Sequence, residues 1–198
     1  MNYTAGIITV LLIFVFTSCN KPLSETKPDN KVSESKTTEK VAPGDYWKAV
    51  GDNDVAKVKE YLGKDPSLVS LKTTDHIGET ALAKVSFTGK LEMVKLLLEN
   101  KSDPNEFDNY GVTALHGAAR TDKAECLELI LKNKGDVNIK EKNAGNTPLH
   151  YAADYNSVEA AKLLLRMGAD KKTANKAGKT PYDIAVEKKS KDVIELLK

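Results

Sequence analysis

Gly111-Val112-Thr113-Ala114-Leu115-His116-Gly117-Ala118-Ala119 and Gly145-Asn146-Thr147-Pro148-Leu149-His150-Tyr151-Ala152-Ala153 are two copies of one phrase. Each opens on glycine, sets a threonine two residues later, and continues through Leu-His to a pair of alanines. The opening recurs as Gly78-Glu79-Thr80-Ala81-Leu82-Ala83 and as Gly178-Lys179-Thr180-Pro181-Tyr182-Asp183. The four glycines stand 33, 34 and 33 residues apart. Four in-phase copies are not chance, and a period of this size marks stacked repeats rather than one globular core.

A second block keeps the same phase. Leu91 to Leu98, Ala124 to Leu131 and Val158 to Leu165 each carry apolar residues at helical spacing. Each ends in a polar connector containing Gly, Asp or Asn. The unit therefore reads as a turn, a short helix, a second helix and a loop. The glycines suit a tight turn that needs permissive backbone angles. Thr80, Thr113, Thr147 and Thr180 are placed to cap the first helix of each unit. Pro148 and Pro181 then fall at an early helical position, where no amide bond is lost. The paired alanines let neighbouring helices approach closely, and the leucine-rich blocks fill the space between units.

On these residues the chain resembles the ankyrin repeat family. The matching phrases are Thr113 to Ala119, Thr147 to Ala153, and the later pattern Leu163 to Asp170. The resemblance covers residues 44–198 and implies an all-α ankyrin-repeat solenoid, helix-turn-helix units joined by loop and β-turn fingers. The expected division is an opening cap at 44–74, repeats at 75–107, 108–141 and 142–174, and a closing cap at 175–198. Asp45 to Tyr61 has the helix pair of an opening unit without its turn. Tyr182 to Lys198 has one apolar and one charged face, as a terminal repeat needs for solubility.

Composition narrows the function. Hydrophobic residues make up 40%, enough to bury a core. Lys+Arg 30 against Asp+Glu 28 leaves a net charge of +2, which argues against a dominant phosphate-binding surface and against nucleic acid as partner. Two cysteines exclude a disulfide-rich scaffold, and with three histidines they are a thin supply for a zinc site. His116 and His150 occupy one register in successive repeats, and Ala83 and Asp183 replace them in the other copies. The repeat explains these histidines; the family resemblance implies local hydrogen bonds within turn and helix. Cys126 lies in an apolar stripe and reads as a small buried residue. No nucleophile elbow, phosphate loop, metal-spaced cluster or paired carboxylate stands in a recognisable frame. The expectation is a protein that is not an enzyme, with no cofactor, metal or small-molecule substrate.

The N-terminal stretch differs in kind. Ala5 to Phe16 is an apolar run without charge, too short for a spanning helix of about 20 residues. Small residues follow it, as in a secretory signal. Phe16-Thr17-Ser18-Cys19 resembles a bacterial lipobox, with Phe16 where Leu is usual and no Lys or Arg ahead of the run. The resemblance implies a signal peptide at 1–18, a lipid on Cys19 and a place in the bacterial cell envelope, in the periplasm or on the cell surface. An ordinary cleaved signal and an uncleaved anchor are the alternatives. Asn20 to Gly44 is rich in Lys, Ser, Thr, Glu and Pro, with almost no large apolar residue, and so reads as a flexible tether within 19–43.

The ankyrin resemblance also implies where a partner binds: the loop tips and the exposed side of the first helices. Carried onto this chain, those positions are His76, Ile77, Phe87 and Phe107 in the first repeat. They are Asn109, Tyr110 and Arg120 in the second, and Asn143, Asp154 and Tyr155 in the third, with Glu79, Thr88, Val112, Thr121 and Asn146 beside them. His76 reads either as passive surface or as partner contact, and Trp47 either staples the opening cap or extends the same face. Four of these positions are aromatic in a chain with only 6% aromatics, and aromatics with Arg anchor interfaces. The expected function is a monomeric, envelope-tethered module that holds or modulates a protein partner. An immunity-type inhibitor of a periplasmic toxin or enzyme, and a spacer without a specific ligand, are the rival readings.

Overall fold

The computed structural model of the protein describes residues 40–198. The expected signal peptide, Cys19 and the tether up to residue 39 lie outside the described residues. From Pro43 onward the chain forms helix pairs: α1 (Pro43–Gly51) with α2 (Val55–Lys64), then, after a 3-10 turn at Pro66–Ser70, α3 (Ala81–Thr88) with α4 (Leu91–Glu99). There follow α5 (Ala114–Arg120) with α6 (Ala124–Lys132), α7 (Pro148–Asp154) with α8 (Val158–Arg166), and α9 (Pro181–Lys188) with α10 (Lys191–Leu197). Among the described residues there is no strand, only an isolated antiparallel bridge between Lys72 and Thr80. The expected all-α ankyrin solenoid is the fold.

Local chemistry starts and stops each helix. Thr80, Thr113, Thr147 and Thr180 all sit at the N-cap with extended backbone, and Pro148 and Pro181 begin their helices. A residue with positive φ joins the two helices of every pair: Asn53, Gly89, Asp122, Asn156 and Lys189. Two of these side chains also cap the next unit's outer helix. Asp122 Oδ1 accepts from the Ala160 amide at 2.7 Å, and Asn156 Oδ1 from the Val193 amide at 3.3 Å. Satisfying those orphan amides ties the second repeat to the third and the third to the closing unit.

The first helices α3, α5, α7 and α9 stack in order, and so do the second helices α4, α6, α8 and α10. Ala118, Ala119, Ala152 and Ala153 are fully buried between the inner helices. Their small side chains set a close spacing that larger residues would break by overpacking. Met93, Leu97, Leu127, Ile130 and Leu164 fill the layer between inner and outer rows. Cys126 is buried there too, and burial pushes its thiol up, away from the reactive thiolate. In the closing unit Ala185, Val193 and Leu197 are buried, and Ile184, Ile194 and Leu196 pack partly against them.

Between the pairs the chain runs out into four fingers. Each is pinned by one acidic or amide side chain near its start that accepts several backbone amides. Asp75 Oδ1 accepts the Ile77 and Gly78 amides, Asp108 Oδ1 those of Tyr110 and Val112, and Asn175 Oδ1 those of Ala177 and Lys179. The third finger holds the extra residue of the 34-residue spacing, and there the pin is the longer Glu141. Its carboxylate is buried and accepts the amides of Asn143, Ala144 and Asn146. Successive fingers are joined by backbone bonds: Asn109 to Ile77 at 2.9 Å, Lys142 to Gly111 at 3.3 Å, and Lys176 to Ala144 at 2.8 Å, amide to carbonyl. At Gly111, where φ is +76°, a Cβ would meet the Lys142 Cβ at 2.3 Å, so this crossing requires glycine.

Candidate partner-binding groove

The fingers and the exposed side of the inner helices bound a groove with two depressions. The first, about 260 Å³, lies between fingers one and two and is lined by Glu79, Ala83, Phe87, Asp108, Tyr110, Val112, Thr113, Gly117, Arg120 and Tyr151. The second, about 400 Å³, is lined by Arg120, Asn146, His150, Tyr151, Asp154, Tyr155, Asn175, Ile184, Glu187 and Lys188. Arg120 and Tyr151 belong to both and form the ridge between them.

Repeat geometry builds that ridge. Phe87, Arg120 and Tyr155 stand near the last turn of α3, α5 and α7. The Arg120 guanidinium carbon lies 4.6 Å from the Tyr155 ring centroid and 5.8 Å from that of Phe87. A cation held between two aromatic faces keeps its five donors in a fixed plane. Tyr110, Tyr155 and Phe87 remain 47%, 46% and 42% exposed, which leaves one face of each free for a partner. Beyond Tyr155, Asp154 pairs with Lys188 at 3.0 Å.

Of the residues expected at the interface, Phe87, Tyr110, Arg120, Asp154 and Tyr155 line the groove. His76, Ile77, Asn109 and Asn143 lie at the finger tips instead, where each is bonded to the neighbouring finger. Asn109 Nδ2 donates to the His76 carbonyl at 3.2 Å and Asn143 Nδ2 to the Tyr110 carbonyl at 2.9 Å. The His76 and Tyr110 rings meet edge to face at 6.3 Å. Phe107 lines neither depression. It is half-buried on a finger flank, with Lys142 Nζ 4.6 Å from its ring centroid and Lys72 Nζ donating to its carbonyl at 2.7 Å. A residue just ahead of the finger packs against its neighbours before the chain reaches the groove. Trp47 is also outside the groove: it meets Tyr46 edge to face at 5.9 Å and lines a separate recess with Pro43 and Leu71.

Sequence reasoning missed Tyr151, Asp108 and the closing-unit residues Asn175, Ile184, Glu187 and Lys188. Tyr151 sits inside the Thr-Pro-Leu-His-x-Ala-Ala phrase and was covered by the reading of that phrase as scaffold. The variable residue there is Lys84, Gly117, Tyr151 and Ile184 in successive copies. That variation is a signal of exposure to the groove. Burial pushes the Tyr151 hydroxyl up to about 12, with Glu141 and Tyr155 adding to the shift.

The histidines beneath the groove are scaffold. The Thr113 amide donates to His116 Nδ1 at 3.2 Å, so the proton is placed on Nε2, 3.0 Å from the Asn146 carbonyl in the next unit. His150 repeats the pattern with Thr147 and the Lys179 carbonyl. The bonding is local, as expected, and it also crosses to the next repeat. Burial pushes His116 down to about 4 and His150 in the same direction. Among the described residues, no group of three or more His, Cys, Asp or Glu is arranged to hold a metal ion. No helix there is long and apolar enough to cross a membrane.

Charge is biased along the fingers. Asp75, Glu79 and Asp108 outnumber Lys72 on the flanks and tips of the first two, whereas Lys142, Lys176 and Lys179 stand on the last two, where Glu141 is buried. Burial raises the Glu79 carboxyl; Lys84 at 3.5 Å opposes that, and the like charges of Asp75 and Asp108 reinforce it.

Known proteins share this pattern. The chain is similar to the I-Kappa-B like protein G2 of Microplitis demolitor bracovirus, 43% identical over 58 residues, or 29% of this chain and 34% of that one. A putative ankyrin repeat protein of Rickettsia felis is 35% identical over 94 residues, 47% of this chain and 31% of that one. Another from Rickettsia bellii is 38% identical over 61 residues, 30% and 36% of the two chains. The matches thus span about a third of the length of these relatives. A family model described as ankyrin repeats in three copies matches residues 47–141 and 126–198. Repeats of this kind generally mediate protein–protein interaction and are typically not enzymes, and over those residues the chain belongs to the ankyrin repeat family.

Proposed function

We propose that this chain is a bacterial envelope protein that carries a lipid on Cys19 and holds a protein partner along the groove. The observation that carries the binding half is the stack of Phe87, Arg120 and Tyr155, with Tyr110 beside it. Aromatics and Arg with exposed faces, set on rigid helices, are what dominates interface energetics. The biased finger charges favour one partner orientation over its reverse. The tethering half rests on the apolar run Ala5 to Phe16 and on Phe16-Thr17-Ser18-Cys19.

Affinity capture with the full chain from detergent-solubilised envelopes tests the first half, with Tyr110→Ala/Tyr155→Ala as the comparison bait. Both tyrosines are half-exposed, so the melting temperature should move little while partner recovery falls at least about tenfold. Equal recovery with both baits would rule out this groove as the contact face. For the second half, metabolic labelling with a fatty-acid analogue should mark the wild type and not Cys19→Ala. Label retained by the variant would end the lipid assignment.

A further inference from the structure

We propose that the depression between fingers one and two receives a single arginine or lysine side chain of the bound partner. The inference rests on the binding-module reading and adds the chemistry of one anchor.

Size comes first. At about 260 Å³ the depression is below the usual range for small-molecule sites, roughly 300–1,000 Å³, and suits one side chain. It exists because two residues are small. Ala83 stands where His116 and His150 stand in later units, and Gly117 stands where Tyr151 and Ile184 do. A Cβ at Gly117 would come no closer than 3.6 Å to Phe87, so the backbone there does not require glycine. The space is open because no side chain fills it.

The walls give the sign. Phe87, Tyr110 and Tyr151 supply ring faces, which attract cations. Glu79 and Asp108 supply carboxylates. Asp108 Oδ1 is taken by the Tyr110 and Val112 amides, and among the described residues its Oδ2 has no protein partner. Two cations also stand here and keep their charge: Arg120, which lines the depression but lies nearer the Tyr155 ring than the Phe87 ring, and Lys84, 3.5 Å from Glu79. Asp108 is thus the carboxylate of this depression that has no cation within salt-bridge distance among the described residues. Glu79 is half-buried beside the like charges of Asp75 and Asp108. A cation arriving between these carboxylates relieves their repulsion; an acidic group would increase it. An apolar side chain would leave Glu79 buried without gain.

The neighbouring units supply variants that the fold already accommodates. Asn175 pins the fourth finger as Asp108 pins the second, so Asp108→Asn keeps the turn. Ile184 occupies the Gly117 register in the closing unit, so Gly117→Ile fills the depression with a side chain that register accepts.

The test is an NMR titration of the 15N-labelled full chain with N-acetyl-arginine amide, N-acetyl-lysine amide and N-acetyl-citrulline amide, the last a neutral match to arginine in shape. Saturable shifts at the Val112, Thr113 and Gly117 amides are expected with the two cations. Citrulline should bind at least about tenfold more weakly, the weight of one charge-assisted bond. Glu79→Gln/Asp108→Asn should erase that preference, and Gly117→Ile should erase binding. Equal binding of citrulline, no saturation, or unchanged shifts in Gly117→Ile would overturn the proposal. Partner capture separates the two readings. A partner held equally by wild type and Gly117→Ile sinks the pocket and spares the module. Saturable arginine binding with no partner captured does the reverse.

Discussion

Nδ1 of His116 receives the Thr113 amide and Nε2 gives its hydrogen to the Asn146 carbonyl of the next repeat, so the ring makes both bonds only while neutral; protonation would cost the bond within its own unit and leave the tie to the next repeat. A second proton would have to sit on Nδ1, facing the Thr113 N–H. The folded ring takes up that proton near pH 4, whereas the unfolded chain takes it up near 6.5. Between those values the unfolded state binds more protons, so stability is full above 6.5 and falls as the pH drops toward 4, by at most about 1.4 kcal/mol per pH unit for this one residue. His150 shifts the same way and adds to the slope. Glu79 has the opposite sign, because its raised carboxyl favours the folded state on protonation. Thermal unfolding followed from pH 7 to 4 should therefore show a falling melting temperature. His116→Gln should start lower at pH 7 and fall less steeply; parallel curves would remove His116 from the account.

At the scale of the element, the third finger is the instructive one. Its extra residue would open the turn, and a carboxylate one methylene longer closes it. Glu141→Asp leaves that carboxylate short of at least one of the three amides it now serves, and should cost about 1–3 kcal/mol in denaturant unfolding. Deleting Ala144 in the same chain restores the length of the second finger and should recover most of the loss. No recovery would show that Glu141 acts through something other than turn length. This pairing was present in the sequence as a 34-residue interval, yet only the structure says which residue answers it. What was legible from sequence was whatever the backbone itself demands: threonine caps, proline at the helix start, alanine where helices touch. Phe87, Arg120 and Tyr155 were legible because they fall at two adjacent registers at the end of each first helix, Phe87 and Arg120 with Asp154, and Tyr155 with Thr88 and Thr121. Tyr151 was hidden inside the repeat phrase. Ile184 and Lys188 were hidden because the closing unit reads as a polar cap, and its part in the groove arises from stacking onto α7, which no local pattern encodes.

Over the whole of residues 40–198 the stack is linear, each unit resting on the next, so stability is approximately a sum of units and interfaces. The groove is a product of that stacking, since each depression draws side chains from at least two units. Leu127→Ala, in the middle of the stack, should cost about 2–5 kcal/mol, with the larger figures if the fully buried site cannot collapse. Unfolding should then broaden, because the units on either side of the defect no longer melt together. A cost as small as that of a surface substitution would deny the middle unit its role as a bridge. The rungs between fingers, Asn109 to Ile77, Lys142 to Gly111 and Lys176 to Ala144, also have a mechanical meaning. Held at both ends and stretched, such a stack loads its rungs in series and yields at the weakest first. Each surrendered unit of 33 residues lets out roughly 110 Å of slack. The force trace would be a row of evenly spaced teeth, and a partner gripping two adjacent units would fuse two of them into one taller tooth.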